Sequence, residues 1–427
     1  MGIGKKKIVN KLVENKCGGK NDMKVKKSGL CIYLVLLLGI LIQLLPTSVS
    51  ETDISFATFA MLFRLALGAV LIYILGTRRI HKKTILWQIA NILLMMAYTI
   101  YSIKVRCFSE AYYNMYLYVL LMSVLCLNIK GCTLPKFAEY FFYILCIILC
   151  TVGLLIAFKN QAVSTIISRN YNRYWEKCAY YMVYAGKPVD TYAIHSIAGF
   201  MYFQFLSMLY FKNRCKNSWL NRVLMGLFIL LIAMLRSNTA IMLLGLGGVM
   251  ILVKDKAKMS KRSFILKLSF IVIVCVVVCM NMEWIQVIMG SEENGILGRF
   301  TGKSLFLQNF LFLKENIIPI GYTSSSSLWL SDCGYIVALL RGGLFNVAVL
   351  YGSAYFFFKR NIIDKKMMIP FVVSLFVFEI GYPILMELKY VMMMPFIVIF
   401  LNSVVMEDGK VDEGGIIDEN SSRNYSI

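Results

Sequence analysis

The chain reads as an all-α polytopic membrane protein, and three observations carry that expectation. Of its 427 residues, 59% are hydrophobic and only 16% charged, too little polar surface for a soluble protein of this length. The apolar residues gather in runs close to the roughly 20 that a helix needs to cross a bilayer core, where the backbone finds no water to bond. The basic residues, finally, are spread unevenly among the connections between those runs.

Taken in order, the first element is a basic segment, 1–28, with nine lysines. It is too long for the charged region of an ordinary signal peptide, so the apolar run after it is expected to stay as an uncleaved first span. Runs of spanning length then lie near 30–46, 54–76, 84–103, 110–129, 137–158, 189–211, 220–235, 239–253, 263–283, 333–358, 368–386 and 390–406. They make about twelve helices. The pair 220–235 and 239–253 is short and is open to a second reading as one re-entrant hairpin. Residues 29–406 thus form the membrane domain, and 1–28 and 407–427 are its tails.

A net charge of +22 is not in itself a nucleic-acid footprint, because basic residues also fix membrane orientation. If the lysine-rich N-terminus is cytoplasmic, alternate connections carry Arg78, Arg79, Lys82 and Lys83, then Lys212, Arg214, Lys216 and Arg222. Lys254, Lys256, Lys258, Lys261 and Arg262 follow, and then Lys359, Arg360, Lys365 and Lys366. Both tails then lie in the cytoplasm. Orientation accounts for most of the basicity, and no nucleic-acid partner is expected.

Twelve cysteines give no zinc spacing and no disulfide framework, since most sit inside apolar runs. No GxxxxGK[ST] phosphate cradle is present, which argues against an ATP-driven machine. No metal or cofactor is expected.

Two connections on the outer side are long, about 159–188 and about 284–332. The first mixes Arg169, Arg173 and Lys177 with five tyrosines and Trp175. Guanidinium forks grip phosphate while Tyr and Trp faces stack on sugars; equally, such aromatics anchor chains at a membrane interface. The second runs from Trp284 to TSSSSLWLSD and includes 298–316, which reads as a short amphipathic helix with Arg299 and Lys303 near its start.

Serines and Asp332 ahead of an apolar run are what a helix start uses to satisfy its orphan N–H groups. That does not explain Arg341, about two and a half turns further on and followed by Gly342 and Gly343, because a charge inside a span is costly unless it pairs or lines a wet cavity. Arg64, His195, Arg236 and Glu379 raise the same point, Glu379 as a candidate partner for an arginine. Each alone is as well explained by an ion pair or by snorkelling. Together they point to a positively charged cavity open to the outer side.

Arg236-Ser237-Asn238-Thr239-Ala240 between two mid-chain helices, then Gly298-Arg299, Asp332-Cys333-Gly334-Tyr335 and Gly342-Gly343-Leu344, give the chain a family likeness. It resembles the bacterial polysaccharide polymerase and O-antigen ligase superfamily, and most closely the Wzy-type repeat-unit polymerases of capsule, exopolysaccharide and O-antigen. The resemblance implies a multi-pass enzyme of the bacterial cytoplasmic membrane. It would join undecaprenyl-diphosphate-linked oligosaccharides at the outer face by metal-independent glycosyl transfer, with flippase and chain-length regulator proteins as candidate partners.

It further implies diphosphate or substrate binding by Arg236, Arg299 and Arg341, with Arg169, Arg173 and Tyr335 as further candidates. Preorganised arginines suit the leaving group's growing charge, and Asp332, or else His195, is the candidate base for the attacking hydroxyl. The ligase branch typically carries a histidine late in its long loop. The second outer loop has none, since the chain's only histidines are His81 and His195. That favours polymerase over ligase. A flippase or other secondary transporter stays open as the alternative, although the sequence shows no internal repeat or matched pair of broken helices. A membrane O-acyltransferase would want a stronger nucleophile constellation.

Overall fold

The computed structural model describes residues 20–44, 65–77 apart from 71 and 75, 80–106, 115–157 apart from 131 and 133, 180–184, 187–191, 194–211, 218–234, 238–255, 260–269, 305–315, 317–321, 333–386 and 390–405. These are predominantly helical. In chain order the main helices are α1 (Lys20–Leu44), α2 (Lys82–Arg106), α3 (Met115–Leu125), α4 (Glu139–Ala157), α5 (Ile194–Phe211), α6 (Ser218–Met234), α7 (Asn238–Asp255), α8 (Leu305–Glu315), α9 (Gly334–Asn361) and α10 (Lys365–Gly381). A further apolar helix, α11, covers Tyr390–Val405.

The span expected over 189–211 starts later than expected. Lys187–Thr191 is a strand, β2, paired antiparallel with β1 (Tyr180–Tyr184) so that Tyr180 faces Thr191. Tyr180, Tyr181, Val183 and Tyr184 are residues that favour extended backbone, and only two residues separate the strands. Helix begins at Ile194.

Among the described residues two helices are long and apolar enough to cross a membrane by length and composition, Lys82–Val105 and Gly334–Asn361, and the other apolar helices are shorter. The first is inverted relative to a helix on a water-soluble protein. Gln88, Asn91, Met95, Thr99 and Ser102, at helical spacing, are all buried, while Leu86, Leu93 and Ile100 are 68%, 61% and 52% exposed. Polar atoms face inward, and hydrocarbon faces out.

The second candidate was expected as one continuous helix over 333–358, and it is two. Gly342 (φ −149°, ψ 16°) and Gly343 (φ 67°, ψ −163°) break it into α9a, 334–341, and α9b, 344–361. Tyr335 and Tyr351 would be about 24 Å apart along a straight helix. Their ring centroids are 4.6 Å apart. The chain therefore folds back on itself at the glycine pair, since Gly343 occupies a conformation that a β-carbon disfavours. The break frees carbonyls, and two of them find partners: Asn346 Nδ2 donates to Ala338 O at 2.9 Å and Ile320 N to Leu340 O at 2.8 Å. Arg341, expected deep inside a helix, is the last residue before the turn.

The packing centre is α11, in which every hydrophobic residue from Tyr390 to Leu401 is buried. A helix apolar on all sides belongs in the interior. Tyr33 of α1 stacks on Phe396 with centroids 4.2 Å apart, and Phe142 of α4 on Phe400 at 4.6 Å. Around it α5, α6 and α7 pack in sequence, α7 lies on α10, and α9 joins α2 to α10.

At one end, which we term the basic end, side-chain bonds tie the connections together. Arg360 donates to Thr84 Oγ1 (3.2 Å) and Leu127 O (2.9 Å). Asn361 accepts from Ile129 N at 2.8 Å, and Asn402 Nδ2 donates to Asn361 O at 2.7 Å.

Candidate functional site

At the opposite end the last two turns of α10 gather three other segments. The sequence of α10 is apolar apart from its two leading lysines, Ser374 and Glu379. Glu379 is 0% exposed. A carboxylate so placed needs strong partners. Tyr351 Oη donates to Glu379 Oε2 at 2.8 Å, and the Leu385 backbone N–H donates to Oε1 at 2.5 Å.

The carboxylate also lies against the start of α9a. A β-carbon at Gly334 would sit 1.6 Å from Glu379 Oε2, so only glycine fits. A negative charge there meets the positive end of the α9a dipole. Tyr335, the next residue, packs its ring at a tilt against Tyr351 and donates its hydroxyl to Phe376 O at 2.8 Å. Glu379, Tyr351 and the helix start thus hold one another in register.

Two further segments reach the same turns, each through a glycine. A β-carbon on Gly199 of α5 would meet Phe378 Cζ at 2.6 Å and Tyr390 Oη at 2.9 Å. One on Gly381 would meet Thr239 Oγ1, at the start of α7, at 2.2 Å. Glycines let helices approach closely where lipid-like packing, not water, drives association.

The sequence candidates distribute around this junction unevenly. Tyr335 is part of it. Arg341 is 5% exposed, seven residues along α9a and away from the Gly334 end. His195 is the second residue of α5, one turn before Gly199, and its side chain is outside the described residues. Arg236, three residues before Thr239, and Asp332, two residues before Gly334, are also outside them, as are Arg299, Arg169, Arg173 and Arg64. Three flagged segments, around 195, 236 and 332, therefore adjoin residues that pack on a single helix end.

Sequence reasoning missed Tyr351 and the Gly334 contact. Tyr351 looks like one of many interfacial tyrosines, and nothing local announces that a helix start will fold back beside it. Glu379 was flagged as a partner for an arginine; the partners described above are a tyrosine hydroxyl and a backbone N–H. Asn346 did carry a signal, an amide in the middle of an apolar run. It accepts from Asn91 Nδ2 (2.9 Å) and Tyr118 Oη (2.5 Å), fixing α2 and α3 to the α9 turn.

No protein-family model matches the sequence, and neither a curated protein nor a solved structure matches the chain.

Proposed function

We propose that this chain is a polytopic membrane glycosyltransferase, a polymerase that transfers a growing glycan from its polyprenyl diphosphate to the next lipid-linked repeat unit. The observation that carries the reading is the convergence at the end of α10. Residues next to the Arg236 turn, next to Asp332 and one turn from His195 all pack on Phe378–Gly381. Segments distant in sequence that meet at one buried acidic junction are what a site for a charged, two-substrate reaction requires.

The membrane part of the reading rests on α2, whose polar face is buried and whose apolar face is exposed. In water that arrangement would cost every exposed leucine its burial. In lipid it costs nothing. The basic end is then the cytoplasmic end, and the α10 terminus lies toward the outer leaflet. About twelve spans, with both tails inside, remain the topology of this proposal.

In the proposed reaction Arg236 and Arg299, with Arg341, stabilise the departing diphosphate electrostatically. Asp332 takes the proton of the attacking sugar hydroxyl. Glu379 and Tyr351 hold the segment that follows Asp332.

The turn at Gly342–Gly343 favours a second reading, a flippase or other secondary transporter, because those folds use discontinuous helices near mid-membrane. One experiment separates the two. The gene is deleted, surface glycan is analysed by gel and mass spectrometry, and wild type, Arg236→Ala or Asp332→Ala is supplied back at matched membrane abundance. Polymerase predicts loss of long polymer with single repeat units on outward-facing carrier, and stable, inactive point variants. Units facing the cytoplasm support the transporter, and unchanged polymer refutes the polymerase.

A further inference from the structure

The inward face of α2 carries more hydrogen-bonding capacity than its protein neighbours take up. Thr84, Gln88 and Asn91 follow one another on that face at helical spacing. Gln88 is 1% and Asn91 0% exposed. Among the described residues neither Oε1 nor Nε2 of Gln88 has a hydrogen-bond partner, and Asn91 Oδ1 has none. One turn before Gln88, Arg360 donates through Nη1 to Thr84 Oγ1 at 3.2 Å, and its Nε is a further buried donor without a partner.

The orientation of Asn91 is forced by its neighbours. The Ala338 carbonyl can only accept, so the Asn346 atom 2.9 Å from it is Nδ2, and Asn346 Oδ1 faces the other way. That oxygen takes Asn91 Nδ2 at 2.9 Å and the Tyr118 hydroxyl at 2.5 Å, while Asn91 Nδ2 also donates to Tyr118 Oη at 2.7 Å. Turning the Asn91 amide over would set two carbonyl oxygens against each other. Asn91 Oδ1 is therefore left outside the triad.

Burying such groups dry is costly. A direct contact between Gln88 Nε2 and Asn91 Oδ1 would satisfy one donor and one acceptor and still leave Gln88 Oε1 bare. The partner that completes the set has to accept from an N–H and donate to a carbonyl oxygen. A cation cannot accept and an anion cannot donate, whereas water does both. A water takes up about 30 Å3, so it needs no open groove between packed helices. Thr84 and Arg360 are only partly buried, and through them the line of polar groups reaches the surface at the basic end.

We propose that ordered water, admitted from the basic end, is bound between Gln88 and Asn91. It carries hydrogen bonding inward from Arg360 to the Asn91–Tyr118–Asn346 triad that fixes the α9 turn. Along the helix this water lies about 9–14 Å from Lys82, well inside the span of α2. The proposal is independent of the glycosyltransferase chemistry.

The test is X-ray radiolysis of the purified full chain in detergent, with oxidation read residue by residue by mass spectrometry. Water held beside a side chain delivers hydroxyl radical to it, and a dry core side chain escapes. Tyr118 and Tyr202 are 1% and 0% exposed, and Tyr202 shares its hydroxyl with Ser374. Tyr118 should therefore oxidise several times faster than Tyr202. Gln88→Leu should slow Tyr118 to the Tyr202 rate and lower the Tm by about 2–4 °C, the loss of one or two hydrogen bonds. A dry amide predicts the opposite, because removing it relieves its burial and raises the Tm. Equal oxidation of the two tyrosines, a Tyr118 rate that Gln88→Leu leaves unchanged, or a Tm that rises in that variant overturns the proposal. Where the variant does not fold, the wild-type comparison alone decides.

Discussion

Gly334→Ala is the substitution whose effect follows most directly from the geometry. The new β-carbon would lie 1.6 Å from Glu379 Oε2, 2.8 Å from Cδ and 3.0 Å from the Pro383 Cα. Real contacts begin near 3 Å, so the carboxylate has to retreat by more than an ångström. It cannot do so and keep both Tyr351 at 2.8 Å and Leu385 N at 2.5 Å. Hydrogen bonds to a charged group contribute about 1.5–3 kcal/mol each, and this one is buried, so a loss of about 3 kcal/mol is expected. The natural control is Gly226→Ala in α6, where nothing lies within 4 Å. Removing a mid-helix glycine there should leave stability unchanged or raise it by up to about 1 kcal/mol. The assay is thermal unfolding in detergent followed by size-exclusion fluorescence, with Gly334→Ala, Glu379→Ala and the double variant side by side. The double variant should lose less than the sum, because deleting the carboxylate makes room for the methyl group. If Gly334→Ala proves as stable as Gly226→Ala, or the two losses simply add, the carboxylate does not sit on the helix start and the reasoning fails.

Three other outcomes are expected. Gly343→Ala should cost about 1–3 kcal/mol through its φ of 67°, and its β-carbon would also press on Pro319 Cγ at 3.1 Å; the same unfolding assay reads it, and a neutral result would mean that the turn is not as described. Asn346→Leu leaves Asn91, Tyr118 and the Ala338 carbonyl without their shared partner and should cost about 2–4 kcal/mol, whereas a combined Asn91→Leu, Tyr118→Phe and Asn346→Leu variant should recover part of that loss. His81 accepts from Thr84 N through Nδ1 at 3.4 Å and so caps α2 in its neutral form. Burial, then Arg360 and Lys83, depress its pKa from 6.5, so this contribution is full above about pH 6.5 and lost as pH falls through the lower folded value. About 1 kcal/mol should vanish in acid, and His81→Gln should flatten that part of the stability–pH curve.

How much of this could be read beforehand varies from element to element. The helical class and the helices α2, α6 and α7 follow from runs of apolar residues at helical length, whereas α10 ends at Gly381, five residues before the end of the run at 368–386. The strand at Lys187–Thr191 did not follow, since a short apolar stretch with Val and Tyr reads equally as either state. Nor did the fold-back at Gly342–Gly343. A glycine pair inside an apolar run is tolerated in many continuous helices, and here the choice is made by Asn346 and Ile320, which take up the freed carbonyls from 8 and 20 residues away along the chain.

The candidate site divides the same way. The sequence by itself determined which residues are out of place in an apolar run, among them Arg341 and Glu379, because the cost of burying a polar group is a property of that group alone. Only the tertiary structure decided which of them meet. Glu379 receives the Tyr351 hydroxyl and the Leu385 N–H, and the segments flagged near 195, 236 and 332 reach a single helix end through Gly199, Thr239 and Gly334. The physical reason is that desolvation is local and additive along the chain, whereas the partner that offsets it is supplied by packing between segments far apart in sequence.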